Sequence, residues 1–252
     1  MLTPTERFSS RVENYVRYRP GYPVELIELL RRECSLTTES LVADVGSGTG
    51  KLTELLLQTG CRVLGVEPNR EMRVAGERLF LSSARFTSIA APAEETGLPA
   101  ASVNLITAGQ AFHWFDRPRT RAEFARILKP GGQVVLIWND RRTESTPFLI
   151  AYEKLLHDFA TDYEQVNHRN IDLAMLRKFF GGEPKLKTFP YSQCFDFPGL
   201  KGRLLSSSYA PDQDHPKHGA MLERLRRVFD EHQQAGEVTF DYDTLVYYGR
   251  LE

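Results

Sequence analysis

The sequence predicts an α/β protein built on a doubly wound, mostly parallel sheet. Short β-rich runs alternate with helical patterns through the first 140 residues, and a glycine-rich turn joins the first of these runs to a helix. After Asp140 the alternation gives way to helices and two longer strand-like runs, which predicts an antiparallel edge.

Leu41–Val45, Arg62–Glu67, Arg85–Ala90, Val103–Thr107 and Gln133–Trp138 read as the strands of the alternating part. Between the first two lies Lys51–Thr59, whose leucines at 52, 55 and 56 recur at helical spacing, with Gly60 as the stop. Further helices are expected at Arg70–Leu79 and Arg119–Leu128. The second is ended by Lys129-Pro130-Gly131-Gly132, which can neither continue a helix nor start a strand early. Beyond Asp140, Phe148–Phe159 and Leu173–Phe180 look amphipathic. Lys185–Phe195 and Glu237–Arg250 read as two strands flanking a helix at Ala220–Gln233. The expected division is a helical cap over residues 1–39, a cofactor-binding core over 40–140, and a helical insertion with the last two strands of the same sheet over 141–252.

Composition narrows the function. The chain has 252 residues, 41% of them apolar, enough for one sizeable core. Thirty-two Lys+Arg against 33 Asp+Glu give a net charge of −1, so the broad positive field that nucleic acid or an anionic membrane needs is not expected. The charged N-terminal stretch lacks the apolar run of a secretory leader, and no run reaches the roughly 18 apolar residues of a membrane span. Cys34, Cys61 and Cys194 are an odd, widely spaced set, which fits a reducing cytoplasm rather than a disulfide framework or a zinc site. His215 and His218 stand beside Pro216 without a fixed cysteine or carboxylate pair, so no metal is expected. A monomer or homodimer is expected.

The most informative stretch is Val42-Ala43-Asp44-Val45-Gly46-Ser47-Gly48-Thr49-Gly50, a strand running into glycines at every second position and then a helix. Glycine lets the backbone turn sharply and approach a ligand closely. A nicotinamide-binding GxGxxG loop would place its third glycine at Lys51. A phosphate loop using Gly50-Lys51 would need glycine at Val45 and a hydroxyl at Leu52. The loop resembles motif I of class I S-adenosylmethionine-dependent methyltransferases, loosely (D/E)xGxGxG, with Asp44 as its acid. The resemblance implies a Rossmann-like seven-stranded fold. It also implies that Asp44, Gly46, Ser47, Gly48 and Gly50 line the cofactor's amino-acid end.

Glu67 ends the second strand, 17 positions beyond Gly50, where a carboxylate can accept from both hydroxyls of a ribose. Pro68-Asn69 starts the next helix, and Met72 fits either the adenine or the core. In Ile89-Ala90-Ala91-Pro92-Ala93-Glu94, Pro92 stands where family members carry the aspartate of a GDAE-like motif. Adenine would then rely on the Ala93 backbone, apolar contacts and the neighbourhood of Glu94. Arg126-Ile127-Leu128-Lys129-Pro130-Gly131-Gly132 looks like the family's RxLKPGG turn, so the resemblance covers roughly residues 40–140 with four motifs in order.

In an open α/β sheet, ligands collect at the carboxyl ends of the strands. The fourth strand leads into Gln110-Ala111-Phe112-His113-Trp114-Phe115, which should face the transferable methyl. Gln110, His113 and Trp114 are the catalytic candidates. Phe112 and Phe115 fit a core equally well. His113 is either an orienting donor or, for an acceptor that must lose a proton, the base. Upstream, Phe8, Tyr15, Tyr18, Arg19, Pro20, Gly21 and Tyr22 combine aromatics with cations. The resemblance implies that this part folds over the cofactor as a lid; by their own pattern these residues equally suit an amphipathic helix packed on the sheet edge. Tyr18, Arg19, Tyr22, His113, Trp114 and Trp138 are the expected substrate contacts, and Arg17, Arg141 and Arg142 are further cations that could meet an anion.

With Tyr18-Arg19-Pro20-Gly21-Tyr22-Pro23, the 110–115 segment is similar to the trans-aconitate methyltransferase-like branch of the family. That similarity implies S-adenosylmethionine as cofactor and a small carboxylic acid methylated on a carboxylate oxygen. A (D/N)PP(Y/F) motif of nucleic-acid amino-methyltransferases is missing at Thr107-Ala108-Gly109-Gln110. The alternatives are an adenosylmethionine-binding module without turnover and a nicotinamide-dependent oxidoreductase.

Overall fold

The computed structural model describes residues 11–163 and 172–252; Phe8, named above with the lid, lies outside them. Helices α1 (Val12–Tyr18) and α2 (Glu25–Glu33) precede the alternating part. That part runs β1 (Leu41–Val45), α3 (Lys51–Leu57), β2 (Arg62–Val66), α4 (Arg70–Leu79), β3 (Phe86–Ile89), β4 (Val103–Gly109), α5 (Arg117–Ile127) and β5 (Leu128–Arg141). Then follow α6 (Pro147–Phe159), α7 (Leu173–Phe180), β6 (Lys185–Phe195), α8 (Phe197–Leu205), α9 (His218–His232) and β7 (Val238–Gly249).

The strands form one sheet in the order β3-β2-β1-β4-β5-β7-β6. β1 to β5 pair in parallel, whereas β7 is antiparallel to both β5 and β6. The chain winds outward from β1 in one direction and resumes from β4 in the other. The carboxyl ends of β1 and β4 therefore flank a crevice that no crossover helix covers.

Strand periodicity sorts side chains to the two faces. Ala43, Val45, Ile106, Val134 and Leu136 pack with Phe124 and Ile127 of α5 and with Leu176, Phe179 and Phe180 of α7. Val42, Leu105, Val135 and Ile137 point the other way, onto Leu26 and Leu30 of α2 and Leu52, Leu55 and Leu56 of α3. A third cluster joins α6, α8 and α9 to Phe240 and Tyr242 of β7. α1 packs against α8 and α4. Among the described residues no helix is long and apolar enough to cross a membrane.

Most ends lie within one or two residues of the sequence reading, and the larger departures have identifiable causes. β5 starts at Leu128, because Lys129–Gly132 is absorbed as an irregularity: Val103 pairs with Leu128 while Leu105 pairs with Gln133. Lys129 Nζ donates to Asn104 Oδ1 (3.1 Å) across it. α5 starts at Arg117 because the Asp116 carboxylate accepts from the Arg119 amide and caps the helix. α8, between the two last strands, was not read at all; its start is the Asp196 cap on the Gly199 amide (2.8 Å).

Candidate active site

The turn after β1 is tied to the end of β2: the Gly46 and Ser47 amides both donate to Val66 O (2.8 and 3.2 Å). Gly46 has φ +70°, and a Cβ there would lie 2.4 Å from Ala111 Cβ. Any other residue would be strained and would collide with the segment after β4. Glu67, buried at the tip of β2, accepts from the Gly48 amide through Oε2 (2.9 Å) and from the Asn69 amide through Oε1 (2.8 Å). Asn69 in turn caps α4 by accepting from the Met72 amide (2.8 Å). One carboxylate thus fixes the glycine loop against the start of α4, and each of its oxygens keeps a second acceptor site.

Asp44 is 1% exposed, and both its oxygens accept from hydroxyls: Oδ2 from Thr53 (2.7 Å) and Oδ1 from Thr107 (2.9 Å). Burial pushes its carboxyl up to about 6, against the pull of those two threonine bonds. Burial likewise raises the Glu67 carboxyl, opposed by the Asn69 and Gly48 amides.

A cavity of about 250 Å³ opens between the loop, β2 and the 109–115 segment. Gly46, Gly48, Glu67, Pro68, Asn69, Met72, Pro92, Ala93, Glu94, Gly109, Gln110, Ala111, Trp114 and Phe115 line it, and Tyr15 of α1 covers it. A smaller recess beside it reaches Asp44, Ser47 and Thr49, under Tyr15, Tyr22 and Lys51.

These features can be set beside known proteins. Residues 43–136 match the family described as "Methyltransferase domain". Over nearly the whole chain, 252 aligned residues covering 97% of this chain and 95% of the relative, it is 25% identical to an uncharacterised methyltransferase-like protein of Schizosaccharomyces pombe. An uncharacterised methyltransferase of Mycobacterium bovis is 39% identical over 134 residues, 53% of this chain and 52% of that protein. A solved structure of a candidate type II methyltransferase from Anaeromyxobacter dehalogenans superposes with a TM-score of 0.67 at 21% identity, covering 93% of this chain and 98% of that one. Residues 43–136 thus carry a methyltransferase domain of the class I, S-adenosylmethionine-dependent kind.

The lining of the crevice fits the cofactor of that domain family, S-adenosylmethionine. Glu67 retains acceptor capacity for two ribose hydroxyls; Pro68, Met72 and Ala93 give an apolar wall for a base, and Pro92 contributes surface rather than a carboxylate. The buried Asp44 carboxylate beside the small recess would hold an ammonium. Glu94 lines the crevice, while its Oε1 accepts from the Asp116 amide (2.7 Å) and so also holds the start of α5.

A second, polar cavity of about 140 Å³ joins the crevice at Tyr15, Gln110 and Trp114. Arg19, Tyr22, Lys51, His113, Asn139, Asp140, Arg141, Tyr163, Arg203, Tyr209 and Tyr242 line it. Gln110 sits at the junction with φ +56°, a left-handed conformation for a residue with a side chain. Its amide donates to Ile137 O (2.8 Å) and its Nε2 to Asn139 O (3.2 Å). The Asn139 side chain donates to Gly21 O (2.8 Å) and accepts from Thr244 Oγ1 (2.7 Å), which anchors the Gly21–Tyr22 segment over β4. Tyr22 Oη then lies against Gly109. The His113 and Trp114 rings are 4.8 Å apart.

Most expected site residues gather here: Gly46, Gly48, Glu67, Pro68, Met72, Ala93, Glu94, Gln110 and Trp114 on the crevice, Asp44 and Ser47 on the recess, and Arg19, Tyr22 and His113 on the polar cavity. Three do not. Trp138 points to the α5/α7 face, edge-on to Phe112 (6.1 Å) and Tyr247 (5.9 Å), because alternation along β5 turns it away from Ile137. Tyr18 packs on Gly202 of α8, where a Cβ would stand 2.0 Å from its ring. Gly50 (φ +89°) makes room for Phe80, 2.3 Å from where a Cβ would be, and faces neither cavity. Phe112 is fully buried, so of the two ambiguous aromatics only Phe115 reaches the crevice. Arg17 is exposed over the Tyr18 ring and Arg142 pairs with Asp243, whereas Arg141 lines the polar cavity.

Arg203, Tyr209 and Tyr242 were missed. Arg203 lies on the unread α8, and Tyr209 follows a serine run without periodicity. The alternation of β7, which turns Tyr242 inward, was a usable signal.

Proposed function

We propose that this methyltransferase moves the methyl group to a small-molecule acceptor bound in the polar cavity, and that the atom methylated is a carboxylate oxygen. The observation carrying the reading is the junction of the two cavities at Tyr15, Gln110 and Trp114, with guanidinium groups lining the acceptor side. Bound in the crevice, S-adenosylmethionine supplies a methyl group on a positively charged sulfur. That methyl would pass to the acceptor oxygen as its bond to sulfur breaks, leaving a neutral thioether and a neutral ester.

The chain contributes position and dryness. Glu67 and Asp44 fix the two ends of the cofactor, so the methyl would face the Gln110–Trp114 junction. Trp114 and Tyr15 offer aromatic faces to the sulfonium, worth about 0.5–2 kcal/mol each when water is excluded. His113 orients the acceptor by a hydrogen bond; a carboxylate needs no base. Residues 1–39 act as the cap, 40–140 as the cofactor core and 141–252 as the acceptor side. The enzyme works in the cytoplasm as a monomer or homodimer, without nucleic acid or membrane, a setting that its free cysteines and net charge of −1 suit.

The test is transfer of labelled methyl from S-adenosylmethionine to a panel of small acids, phenols and amines. Label released as methanol in mild alkali is expected, since methyl esters hydrolyse there. Label that survives alkali would contradict the carboxylate assignment.

A further inference from the structure

Among the described residues the polar cavity holds three buried or half-buried guanidinium groups, of which one, Arg141, has a counter-ion. Arg141 pairs with Glu153 and also donates to Tyr163 Oη (3.2 Å). Arg203, 5% exposed, has neutral hydrogen-bond and ring partners among the described residues: Ser207 Oγ (3.2 Å), Tyr242 Oη (3.4 Å) and the Phe240 ring, 5.9 Å from its carbon. Arg19, at the end of α1, donates to Ser206 O (3.0 Å) and lies over the Tyr15 ring at 5.2 Å, while its buried Nε has no hydrogen-bond partner among the described residues. Among the described residues no ion pair engages Arg19 or Arg203. Burying an uncompensated charge is costly, so two such groups on one cavity mark a place where an anion belongs.

The rest of the lining agrees. Among the described residues that line the cavity, the cations are Arg19, Lys51, Arg141 and Arg203 and the carboxylate is Asp140. Burial alone would raise the Tyr209 phenol, yet Arg203, Arg19 and Arg141 together hold it below its usual value, a measure of the positive field at that end.

Resting on the acceptor reading above, we infer that the acceptor is a dicarboxylic acid whose non-reacting carboxylate is clamped between Arg19 and Arg203. The reacting carboxylate sits at the Gln110–Trp114 junction instead. A guanidinium fork on the reacting oxygen would stabilise a charge that the transfer removes, favouring the ground state over the transition state. The same fork on the carboxylate that keeps its charge costs nothing in the displacement, and two planar forks fix its orientation. Arg203 and Tyr209 line the polar cavity but not the crevice, as this arrangement requires. Because Arg19 leaves α1 and Arg203 stands on α8, an acid between them also draws α1, with Tyr15, onto the crevice.

The test compares four- to six-carbon diacids with their monoamides and with monoacids of equal length. It uses labelled-methyl turnover, and calorimetry on enzyme saturated with S-adenosylhomocysteine. Diacids are expected to be preferred, with kcat/KM falling about 100-fold for the monoamides, as for loss of a buried charged partner. Arg19→Gln and Arg203→Gln should lose that preference, through diacid turnover alone, and keep cofactor affinity within about twofold. Arg203→Lys, which keeps the charge without the fork, covers the case of a misfolded glutamine variant and should retain part of the preference. Arg142→Gln, on the surface, should change nothing. Equal turnover of diacids and monoamides, a preference that survives in both glutamine variants, or diacids neither methylated nor bound would overturn the inference. Alkali-labile label on monoacids would overturn the clamp alone; alkali-stable label would overturn the carboxylate reading itself.

Discussion

The two cavities are built in opposite ways. The cofactor crevice and its recess are lined mostly from one stretch, Asp44 to Phe115, with Tyr15 and Tyr22 contributed from outside it. The polar cavity, the proposed acceptor site, adds to Lys51 and the Gln110–Trp114 segment large polar side chains from the end of α1, the end of β5, α8 and the turn after it, and the middle of β7. A shared ligand can be met by one local arrangement of loop, strand tip and helix start. An acceptor that differs between enzymes is met by elements far apart in sequence, which can change without disturbing the loop.

Breaking the crevice should therefore have the larger effects. Gly46→Ala puts a Cβ 2.4 Å from Ala111 Cβ at φ +70° and is expected to cost about 2–5 kcal/mol of stability, read by denaturant unfolding. Glu67→Ala is expected to weaken S-adenosylmethionine binding by about 1–3 kcal/mol, the scale for charge-assisted bonds, in a calorimetric titration. Diacid binding should change little; if it fell equally, the two cavities would not be separable.

Asp44 sharpens the same contrast through pH. Its folded value, about 6, lies above the usual 3.8, so the folded state holds the proton more tightly than the unfolded chain. Its contribution favours folding at low pH and is lost as pH rises from about 4 through 6. Asp44→Asn should remove this dependence, and near pH 7 the variant without ligand should be the more stable of the two. Cofactor binding should show the reverse trend. Holding an ammonium requires the ionised carboxylate, so affinity should fall up to about tenfold per pH step below 6 in the wild type, and stay flat in Asp44→Asn.

The smallest effect is expected at Trp138. Its Nε1 has no hydrogen-bond partner among the described residues and its ring faces the core, so Trp138→Phe should leave kcat/KM unchanged and cost about 1–2 kcal/mol of stability.

The same division explains what the sequence made legible. Period-two runs and glycine stops are local signals, so β1, α4, α7 and β6 were read to the residue, and the Asp44–Gly48 and Glu67 placements followed from spacing. Gly50 shows the limit of motif spacing: its conformation was anticipated, but its neighbour, Phe80 at the end of α4, was not. Trp138 was placed at the right strand end but on the wrong face, since a strand buried on both sides carries no polar alternation to set the phase. Arg203 and Tyr209 meet Arg19 only through tertiary packing of α8 on α1, which no local pattern encodes.

The central claim is that the glycine turn and Glu67 enclose the nucleoside while the sulfur faces Gln110 and Trp114. A crystal structure with S-adenosylhomocysteine tests it directly. Both ribose hydroxyls are expected on the Glu67 carboxylate, with the sulfur at the Tyr15–Gln110–Trp114 junction. A nucleoside bound elsewhere, or a sulfur turned away from the polar cavity, would contradict it.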